Sequence, residues 1–252
     1  MTFATLDGRR IEYRLIPGAA APKPTIVLLH EGLGCIALWR EFPERLARRT
    51  GLRTLVYSRF GYGQSDGLQG PRTVDFMHEE ARDVLPALLA TLGIERPLLV
   101  GHSDGGSIAL IYAGDHPVAG LALMAPHAFV EDVTVRSIAH VRETFETSGL
   151  RGRLAKYHAH VEDAFFGWAD IWLDPAFRDW SIEAACRQIA APMLLIQGRD
   201  DEYGTLAQVE RIKMQAQGPA EILVLENCGH SPHRDREAAV LDAVAGFAAG
   251  LD

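Results

Sequence analysis

A serine between two glycines lies where a strand-like run of residues changes directly into a helix-like run. Ser103 is the centre of the segment GHSDG, residues 101–105. This segment directly follows the apolar run PLLV and directly precedes the helix-like run GSIALIYA. In a sharp turn between a strand and a helix, the serine hydroxyl stands at the sheet edge beside the N–H groups of the helix N-terminus. An ordinary glycine-rich helix start is the alternative. The position at the turn favours a nucleophile, and we predict that Ser103 attacks a carbonyl carbon.

The base that a serine nucleophile requires is predicted in the loop after the last strand-like run. Serine is a weak nucleophile until a base takes its proton, and the usual base is a histidine that a carboxylate orients. His230 follows Gly229 in this polar loop, which leaves the same edge of the predicted sheet as Ser103. His233, at the start of the final helix pattern, is the competing histidine. We predict that His230 is the base.

The carboxylate that orients this histidine has three candidates. Asp200, Asp201 and Glu202 follow the apolar run PMLLIQ at the same sheet edge. A solvated acidic loop is the alternative interpretation of this segment. The turn after the preceding strand-like run, residues 125–127, carries no carboxylate. The acid is therefore expected among residues 200–202, and the residues alone leave the choice open.

These side chains meet only if one sheet brings the ends of several strands to a common edge. Short alternating runs around Asp7-Gly8 predict an opening hairpin. Apolar runs typical of buried parallel strands follow at 25–30, 52–58, 97–102, 120–126, 192–198 and 221–227. Helix patterns lie between most of them, at 39–49, 74–92, 105–113 and 237–249. This alternation predicts an α/β fold with a mainly parallel, doubly wound sheet.

The segment 127–190 interrupts the alternation of strands and helices. It has no convincing buried strand, and it holds Trp168, Trp172 and Trp180. We predict a helical cap over residues 127–190, inserted before the strand that bears the acid, on a core formed by residues 1–126 and 191–252. Trp168 and Trp172 are expected to bind substrate on the inner face of this cap. The alternative is that these aromatic residues only anchor the inserted layer.

Composition and charge restrict the partners. The 252 residues carry a formal net charge of -8, which does not suit a nucleic-acid surface. The N-terminus lacks the pattern of a secretory signal, and no apolar run approaches the thickness of a bilayer. We expect a cytoplasmic protein that binds a small-molecule substrate and no membrane or nucleic acid. A homodimer is a candidate assembly, and the sequence leaves the oligomeric state open.

A group of histidines and acids in the cap does not have the spacing of a metal site. The residues alternate in a way that suits neither one helix face nor a known zinc motif: His158, His160, Glu162 and Asp163. The cysteines are three in number and far apart, at 35, 186 and 228. Glycine-rich phosphate loops are also absent. We therefore predict that the protein uses no metal and no cofactor.

The order of these motifs resembles the α/β-hydrolase superfamily over nearly the whole chain outside the cap. The segment around Ser103 matches the G-x-S-x-G elbow of that family. The family's acid commonly falls three residues after a strand-ending glycine, which from Gly198 implies Asp201. Its histidine commonly follows a glycine, as His230 does. The resemblance thus implies a Ser103, Asp201 and His230 triad.

Two further loops resemble the family with departures. Residues 57–66 resemble the D-x-R-G-x-G-x-S loop, with Ser58 where aspartate is usual, and we interpret this loop as structural. Residues 30–34 resemble the His-Gly loop that completes the oxyanion hole, with Glu31 in place of a glycine. The resemblance implies that the backbone N–H groups of Gly32 and Asp104 bind the oxyanion. Leu33 is a substitute donor for Gly32 and a predicted substrate contact, and the direction of the Glu31 side chain is left open.

Asp104, directly after the nucleophile, has two interpretations. The segment Ser-Asp-Gly-Gly, residues 103–106, resembles that of biphenyl-hydrolase-like hydrolases, which implies that Asp104 receives a substrate ammonium. A carboxylate beside the reacting carbonyl attracts cations in a site of low dielectric constant. The alternative is that Asp104 only caps the following helix.

The activity expected from these motifs is hydrolysis of a small carboxylic ester or lactone through an acyl-enzyme. The same triad supports cleavage of a carbon–carbon bond in a vinylogous diketone, or of an enol-lactone. Haloalkane dehalogenases and epoxide hydrolases fit less well, because they place an aspartate at the position of Ser103. A ligand receptor that kept the fold without activity is the alternative of another class.

Overall fold

The computed structural model describes residues 1–19 and 23–251, so residues 20–22 and 252 of the predicted core lie outside the described part. Eight strands form one sheet: β1 (Thr2–Leu6), β2 (Arg9–Ile16), β3 (Ile26–Leu29), β4 (Thr54–Tyr57), β5 (Leu98–His102), β6 (Gly120–Met124), β7 (Met193–Gly198) and β8 (Ala220–Leu225). The helices are α1 (Phe42–Thr50), α2 (Phe76–Glu79), α3 (Leu85–Thr91), α4 (Asp104–Asp115), α5 (Asp132–Thr144), α6 (Leu150–Leu154), α7 (Val161–Trp172), α8 (Glu183–Cys186), α9 (Leu206–Gln215), α10 (Pro232–Asp235) and α11 (Glu237–Ala249). No helix in these ranges is both long and apolar enough to cross a bilayer.

The strands are ordered β1-β2-β4-β3-β5-β6-β7-β8 across the sheet. β1 pairs with β2 and β2 with β4 in antiparallel fashion, and the remaining neighbours are parallel. Asp7 and Gly8 join the hairpin with φ angles of 48° and 79°, as a tight turn between twisted strands requires. The predicted α/β class with a mainly parallel sheet is confirmed.

Helices cover both faces of the sheet because its central strands are apolar on both sides. In β3, Ile26 and Leu28 face one apolar layer, which also holds side chains of α1 and α11. Val27 and Leu29 face the opposite layer, together with α3 and α4. Side chains of a strand alternate between its two faces, so this division follows directly from the sequence. The sheet is therefore doubly wound.

The helix predicted over 74–92 is interrupted. It consists of α2, a π-helical turn at Glu80–Val84, and α3. Pro86 lies in the first turn of α3 and has no N–H group to donate, so a regular ladder of hydrogen bonds cannot pass through it. The buried side chain of Glu80 lies in this turn and accepts a hydrogen bond from the hydroxyl of Tyr57 on β4.

The segment between β6 and β7 contains the helices α5 to α8. The stacked rings of Phe145 and Phe165, with centroids 3.6 Å apart, join the end of α5 to α7. The short helix α8 contacts α4 and α9 of the core. The division of the chain into a core and a cap at 127–190 remains a prediction, and the name cap is kept for that segment.

Candidate active site

Ser103 lies at the turn between β5 and α4, in a backbone conformation that few residues adopt. Its φ is 52° and its ψ is -120°, and its N–H group donates to the carbonyl of Met124 on β6. The flanking glycines are required by close backbone contacts. A Cβ atom at Gly101 would lie 2.6 Å from the carbonyl oxygen of Gly105, and one at Gly105 would lie 2.2 Å from that of Leu29. Such a turn holds the serine hydroxyl at the carboxyl edge of the sheet.

Ser103, His230 and Asp201 lie in a hydrogen-bonded line. The Oγ of Ser103 is 2.9 Å from Nε2 of His230. The Nδ1 of His230 is 2.8 Å from Oδ1 and 2.9 Å from Oδ2 of Asp201. Because a carboxylate only accepts, Nδ1 carries the proton and Nε2 is free to take the proton of Ser103. The structure thus brings the three predicted side chains into contact in the arrangement that nucleophilic catalysis requires.

Asp201 is held by several donors besides the histidine. Its Oδ1 accepts from the N–H groups of Tyr203 and Gly204, and its Oδ2 accepts from the side-chain amide of Gln197 at 2.7 Å. Burial is the largest single influence on the pKa of Asp201 and would raise it. The hydrogen bond and charge of His230, with the Tyr203 N–H group, outweigh burial and hold the pKa below its usual range. Asp201 is therefore an anion at neutral pH.

The competing residues lie elsewhere. Asp200 is exposed, and Glu202 accepts a hydrogen bond from the backbone N–H group of His230 at 3.2 Å. His233 is buried between the rings of Trp39 and His102, with centroids 4.7 and 4.8 Å away. Burial holds the pKa of His233 well below its ordinary value. Neither Asp200 nor His233 contacts Ser103.

Three backbone N–H groups beside Ser103 are candidates for the oxyanion hole. Within residues 1–19 and 23–251, the N–H groups of Gly32, Leu33 and Asp104 donate to no protein acceptor. Asp104 is the first residue of α4, where N–H groups have no partner within the helix. The indole of Trp168 covers Gly32 so closely that a Cβ atom there would lie 2.2 Å from its Nε1. These N–H groups are available to a negatively charged oxygen.

Glu31 is turned inward. Its Oε2 is 3.6 Å from Nδ1 of His102, and its Oε1 is 3.9 Å from a guanidinium nitrogen of Arg234. Burial would raise the pKa of Glu31, but the neighbouring imidazole of His102 outweighs burial and holds this pKa far below its ordinary value. His102 in turn donates from Nε2 to the carbonyl of His230 at 2.7 Å. Through His102, Glu31 thus connects the loop of residues 30–34 to the backbone of His230.

The carboxylate of Asp104 is directed into the site and not along the helix. Its Oδ1 accepts a hydrogen bond of 3.2 Å from the indole N–H group of Trp172, and its Oδ2 has no partner in the described part of the chain. Burial raises the pKa of Asp104, and the charge of Arg59 opposes that rise. In the described residues the side chain accepts no hydrogen bond from an N–H group of α4, so it does not cap the helix by a hydrogen bond.

A cavity of about 170 Å³ opens onto Ser103. The predicted residues that line it are Gly32, Leu33, Ser103, Asp104, Trp168, Trp172 and His230. Asp201 lies behind His230 and is not part of its wall. Trp172 also packs against Trp180 of the same segment, with centroids 5.9 Å apart, so it both packs within the cap and lines the cavity. The site is therefore a small, largely apolar space beside Ser103.

Sequence analysis missed several residues of this wall: His127, Thr134, Ile138 and Tyr203. His127 lies directly after the turn that follows β6, at the same edge of the sheet as Ser103. This position in the sequence could have identified it. Its neutral ring is in edge contact with Trp172, and burial lowers the pKa of His127 to about 3. Thr134 and Ile138 lie four residues apart on α5 and so share one face of the helix. Their spacing does not show that this face is directed towards the cavity.

The histidines and acids of the cap do not form a metal centre. Across the described ranges, no three His, Cys, Asp or Glu side chains are grouped as metal ligands. His158 is buried and bonds to two backbone groups, while Asp163 accepts a hydrogen bond from the N–H group of Leu68. These residues connect the cap to loops of the core.

The chain is similar in sequence and in structure to known hydrolases. The model of the family described as "Alpha/beta hydrolase family" matches residues 26–243. An sn-1-specific diacylglycerol lipase of Mus musculus is 25% identical over 275 residues, which cover 95% of this chain and 85% of the lipase. A proline iminopeptidase of Lactobacillus helveticus is 32% identical over 114 residues, or 45% of this chain and 38% of the peptidase. The enol-lactonase of Burkholderia xenovorans LB400 superposes with a TM-score of 0.77 at 22% identity, with 98% of this chain and 99% of the lactonase covered.

Proposed function

Because the chain belongs to the alpha/beta hydrolase family, we propose that it hydrolyses a small carboxylic ester or lactone through an acyl-enzyme on Ser103. The observation that carries this proposal is the unbroken line of contacts from Ser103 Oγ to His230 and on to Asp201. The unpaired N–H groups of Gly32 and Asp104 beside that hydroxyl support it. Together they supply a nucleophile, a base and an electrophilic site around one point.

The reaction follows from these positions. Ser103 Oγ attacks the carbonyl carbon while Nε2 of His230 takes its proton, and Asp201 stabilises the imidazolium that forms. The carbonyl oxygen becomes an anion and is bound by the N–H groups of Gly32 and Asp104, each worth about 3 to 4 kcal/mol in the transition state. The imidazolium then protonates the leaving alcohol. Water repeats the sequence on the acyl-enzyme and releases the acid.

The cavity favours a small substrate that carries no negative charge. Its volume of about 170 Å³ is below the usual range for drug-sized ligands, and two tryptophans occupy much of its wall. Its charged lining residues are Glu31 and Asp104, and no Lys or Arg is among the described residues that line it. Carboxylates repel an anionic acyl group in a site of low dielectric constant. Neutral esters and lactones are the expected substrates.

Esters of amino acids are a second candidate class, and the placement of Asp104 favours them. Its carboxylate belongs to the residue whose N–H group would bind the oxyanion, so it stands near the carbon next to the scissile carbonyl. One of its oxygens has no partner in the described part of the chain. The charge of Arg59 already compensates part of this carboxylate, which weakens the case for a required ammonium. Carbon–carbon bond cleavage and a receptor role without activity are the remaining alternatives, and the experiment below tests them as well.

The test is hydrolysis of a small panel by the wild type and by Ser103→Ala. The panel holds p-nitrophenyl esters of rising chain length, an amino-acid ester, a neutral lactone, an enol-lactone and a vinylogous diketone. We expect turnover of short neutral esters or lactones, and its loss in Ser103→Ala. Ser148→Ala, at an exposed serine of the cap, is the matched control and should behave as the wild type.

The outcomes separate the alternatives. Preference for the amino-acid ester assigns the ammonium role to Asp104, and reaction of the diketone alone indicates carbon–carbon cleavage. A fluorophosphonate probe tests the receptor alternative, because only a reactive Ser103 is labelled. Ester hydrolysis that survives Ser103→Ala would overturn the proposal.

A further inference from the structure

His158 is a buried histidine of the cap that does not line the active-site cavity. It lies between α6 and α7, and only 4% of its surface is exposed. Both of its ring nitrogens are engaged. The N–H group of Gly63 donates to Nδ1 at 3.0 Å, and Nε2 is 3.1 Å from the carbonyl oxygen of Leu33. The imidazole therefore joins two loops of the core to one segment of the cap.

These two contacts define the tautomer of His158. The Gly63 N–H group can only donate, so Nδ1 must be the acceptor. Nε2 then carries the hydrogen and donates to the Leu33 carbonyl. Burial lowers the pKa of His158, which agrees with a neutral ring in this position. The two nitrogens consequently have different roles, and a substitution can remove one without the other.

The connection between the cap and Gly63 does not depend on the imidazole alone. The N–H group of Ala159 donates to the carbonyl of Gly63 at 2.8 Å, and the side-chain amide of Gln64 donates to the carbonyl of Tyr157 at 3.3 Å. The cap segment is thus attached to this loop on either side of His158, by a backbone contact at Ala159 and by the Gln64 side chain at Tyr157. Loss of the bond from Gly63 to Nδ1 leaves that attachment in place.

The Leu33 carbonyl, in contrast, has no second donor among the described residues. The oxyanion loop, residues 30–34, is held at Glu31 by Arg59, whose guanidinium donates to the Glu31 carbonyl at 2.8 Å, and by the Gly34 N–H group at 3.1 Å. The Leu33 carbonyl accepts a hydrogen bond from His158 and from no other group in residues 1–19 and 23–251. One end of the loop is therefore fixed by the core, and the other by the cap.

We propose that His158 is a positioning residue that holds the oxyanion loop through Leu33 and so makes the loop's donor geometry depend on the docked cap. The inference rests on the proposed function, because it takes the N–H group of Gly32, which belongs to this loop, as an oxyanion donor. A displacement of Leu33 rotates the adjoining peptide groups away from Ser103. Binding of the uncharged substrate changes little, while stabilisation of the charged transition state falls.

Two substitutions of His158 separate this role from simple packing. Glutamine places its amide nitrogen near the position of Nε2, so His158→Gln keeps the donor to Leu33 and loses the acceptor for Gly63. Asparagine places its oxygen near Nδ1, so His158→Asn keeps the acceptor and loses the donor. Each variant loses one hydrogen bond, and we expect similar small decreases in Tm. His160→Asn, two residues further along the same segment, is the control.

In the activity assay, kcat and KM are measured separately with a short ester as the substrate. We expect His158→Asn to lower kcat by about 10- to 100-fold with KM within about threefold, since full removal of an oxyanion donor costs about 10²- to 10³-fold. His158→Gln should keep kcat within about threefold of the wild type. Equal loss in both variants, or no loss in either, would overturn the proposal.

A second readout does not depend on catalysis. Hydrogen–deuterium exchange of residues 31–35 in the free protein should be faster in His158→Asn than in His158→Gln and the wild type, at equal exchange elsewhere in the sheet. Unchanged exchange in His158→Asn refutes the loop-holding role. If the wild type hydrolyses no ester, the proposed function fails, and the exchange measurement still decides whether His158 holds the loop.

Discussion

Replacing Asp201 by asparagine tests the charge that the geometry assigns to the catalytic line. The asparagine oxygen can occupy the place of Oδ1, where it still accepts from His230 Nδ1, Tyr203 and Gly204. Its NH₂ group then faces the amide nitrogen of Gln197, which now donates to Oδ2. Gln197 can relieve this clash by rotating its own amide, since its Oε1 is unpaired among the described residues, at the cost of its hydrogen bond to the Gly204 carbonyl. The fold is therefore retained while the negative charge is lost.

The size of the effect follows from the distance between the charges. At 2.8 Å and an effective dielectric constant of about 20, an imidazolium and a carboxylate attract each other by about 6 kcal/mol. The neutral hydrogen bond that remains in the variant retains about 1 kcal/mol of this. A net loss of about 4 to 5 kcal/mol in the transition state corresponds to a fall of about 10³- to 10⁴-fold in kcat.

The assay is steady-state hydrolysis of a short p-nitrophenyl ester by Asp201→Asn, with Asp200→Asn as the matched control. Asp200 is the exposed neighbour, so its variant removes the same charge one residue away from the catalytic line. We expect the control to stay within about twofold of the wild type, as surface substitutions usually do. Retention of more than about a tenth of wild-type kcat in Asp201→Asn would refute the reasoning, as would an equal loss in both variants.

Other consequences of the structure can be measured separately. Gly105→Ala should prevent labelling of the nucleophile by a fluorophosphonate probe and lower Tm, because the new Cβ atom would lie 2.2 Å from the backbone oxygen of Leu29. Ile138→Ala shortens a side chain of the cavity wall and so enlarges the cavity. The ester that is hydrolysed best should then have a longer acyl chain, as assays with esters of rising chain length would show. The pKa of His127 is about 3 in the folded protein and near 6.5 in the unfolded chain, so the unfolded chain binds more protons between these values. This group should therefore lower the free energy of unfolding by up to about 1.4 kcal/mol per pH unit on acidification through that window. When the free energy of unfolding is measured by urea unfolding at several pH values, it should depend less steeply on pH in His127→Asn than in the wild type. Asp104→Asn should reduce hydrolysis of an amino-acid ester and spare neutral esters if its carboxylate binds an ammonium, and equal effects on both substrates would exclude that role.

Much of the fold was predictable because its signals are local. The run PLLVGH contains β5, PMLLIQG contains β7, and the alternation of apolar strands with helix patterns gave the mainly parallel sheet. The interruption of the helix at 74–92 was missed. Pro86 was visible in the sequence, but the hydrogen bond between the buried Glu80 of the π-helical turn and Tyr57 of a distant strand was not.

The sequence by itself determined which residues are candidates for the site and at which strand ends they lie. The glycines around Ser103, the residue types at 200–202 and the Gly229-His230 pair sit at ends of strands whose order along the chain places them at one sheet edge. A turn or strand end depends on residues that are neighbours in sequence, so such positions can be inferred from a single chain.

Only the tertiary structure decided which side chains meet. Asp200 and Asp201 are neighbours with opposite surroundings, one exposed and one buried against His230. Asp104 bonds to Trp172, and His158 bonds to Leu33, across 68 and 125 positions of sequence. Contacts of this kind depend on how helices of the cap rotate and pack on the core, and that rotation is set by the summed packing of many residues. No motif or periodicity records it.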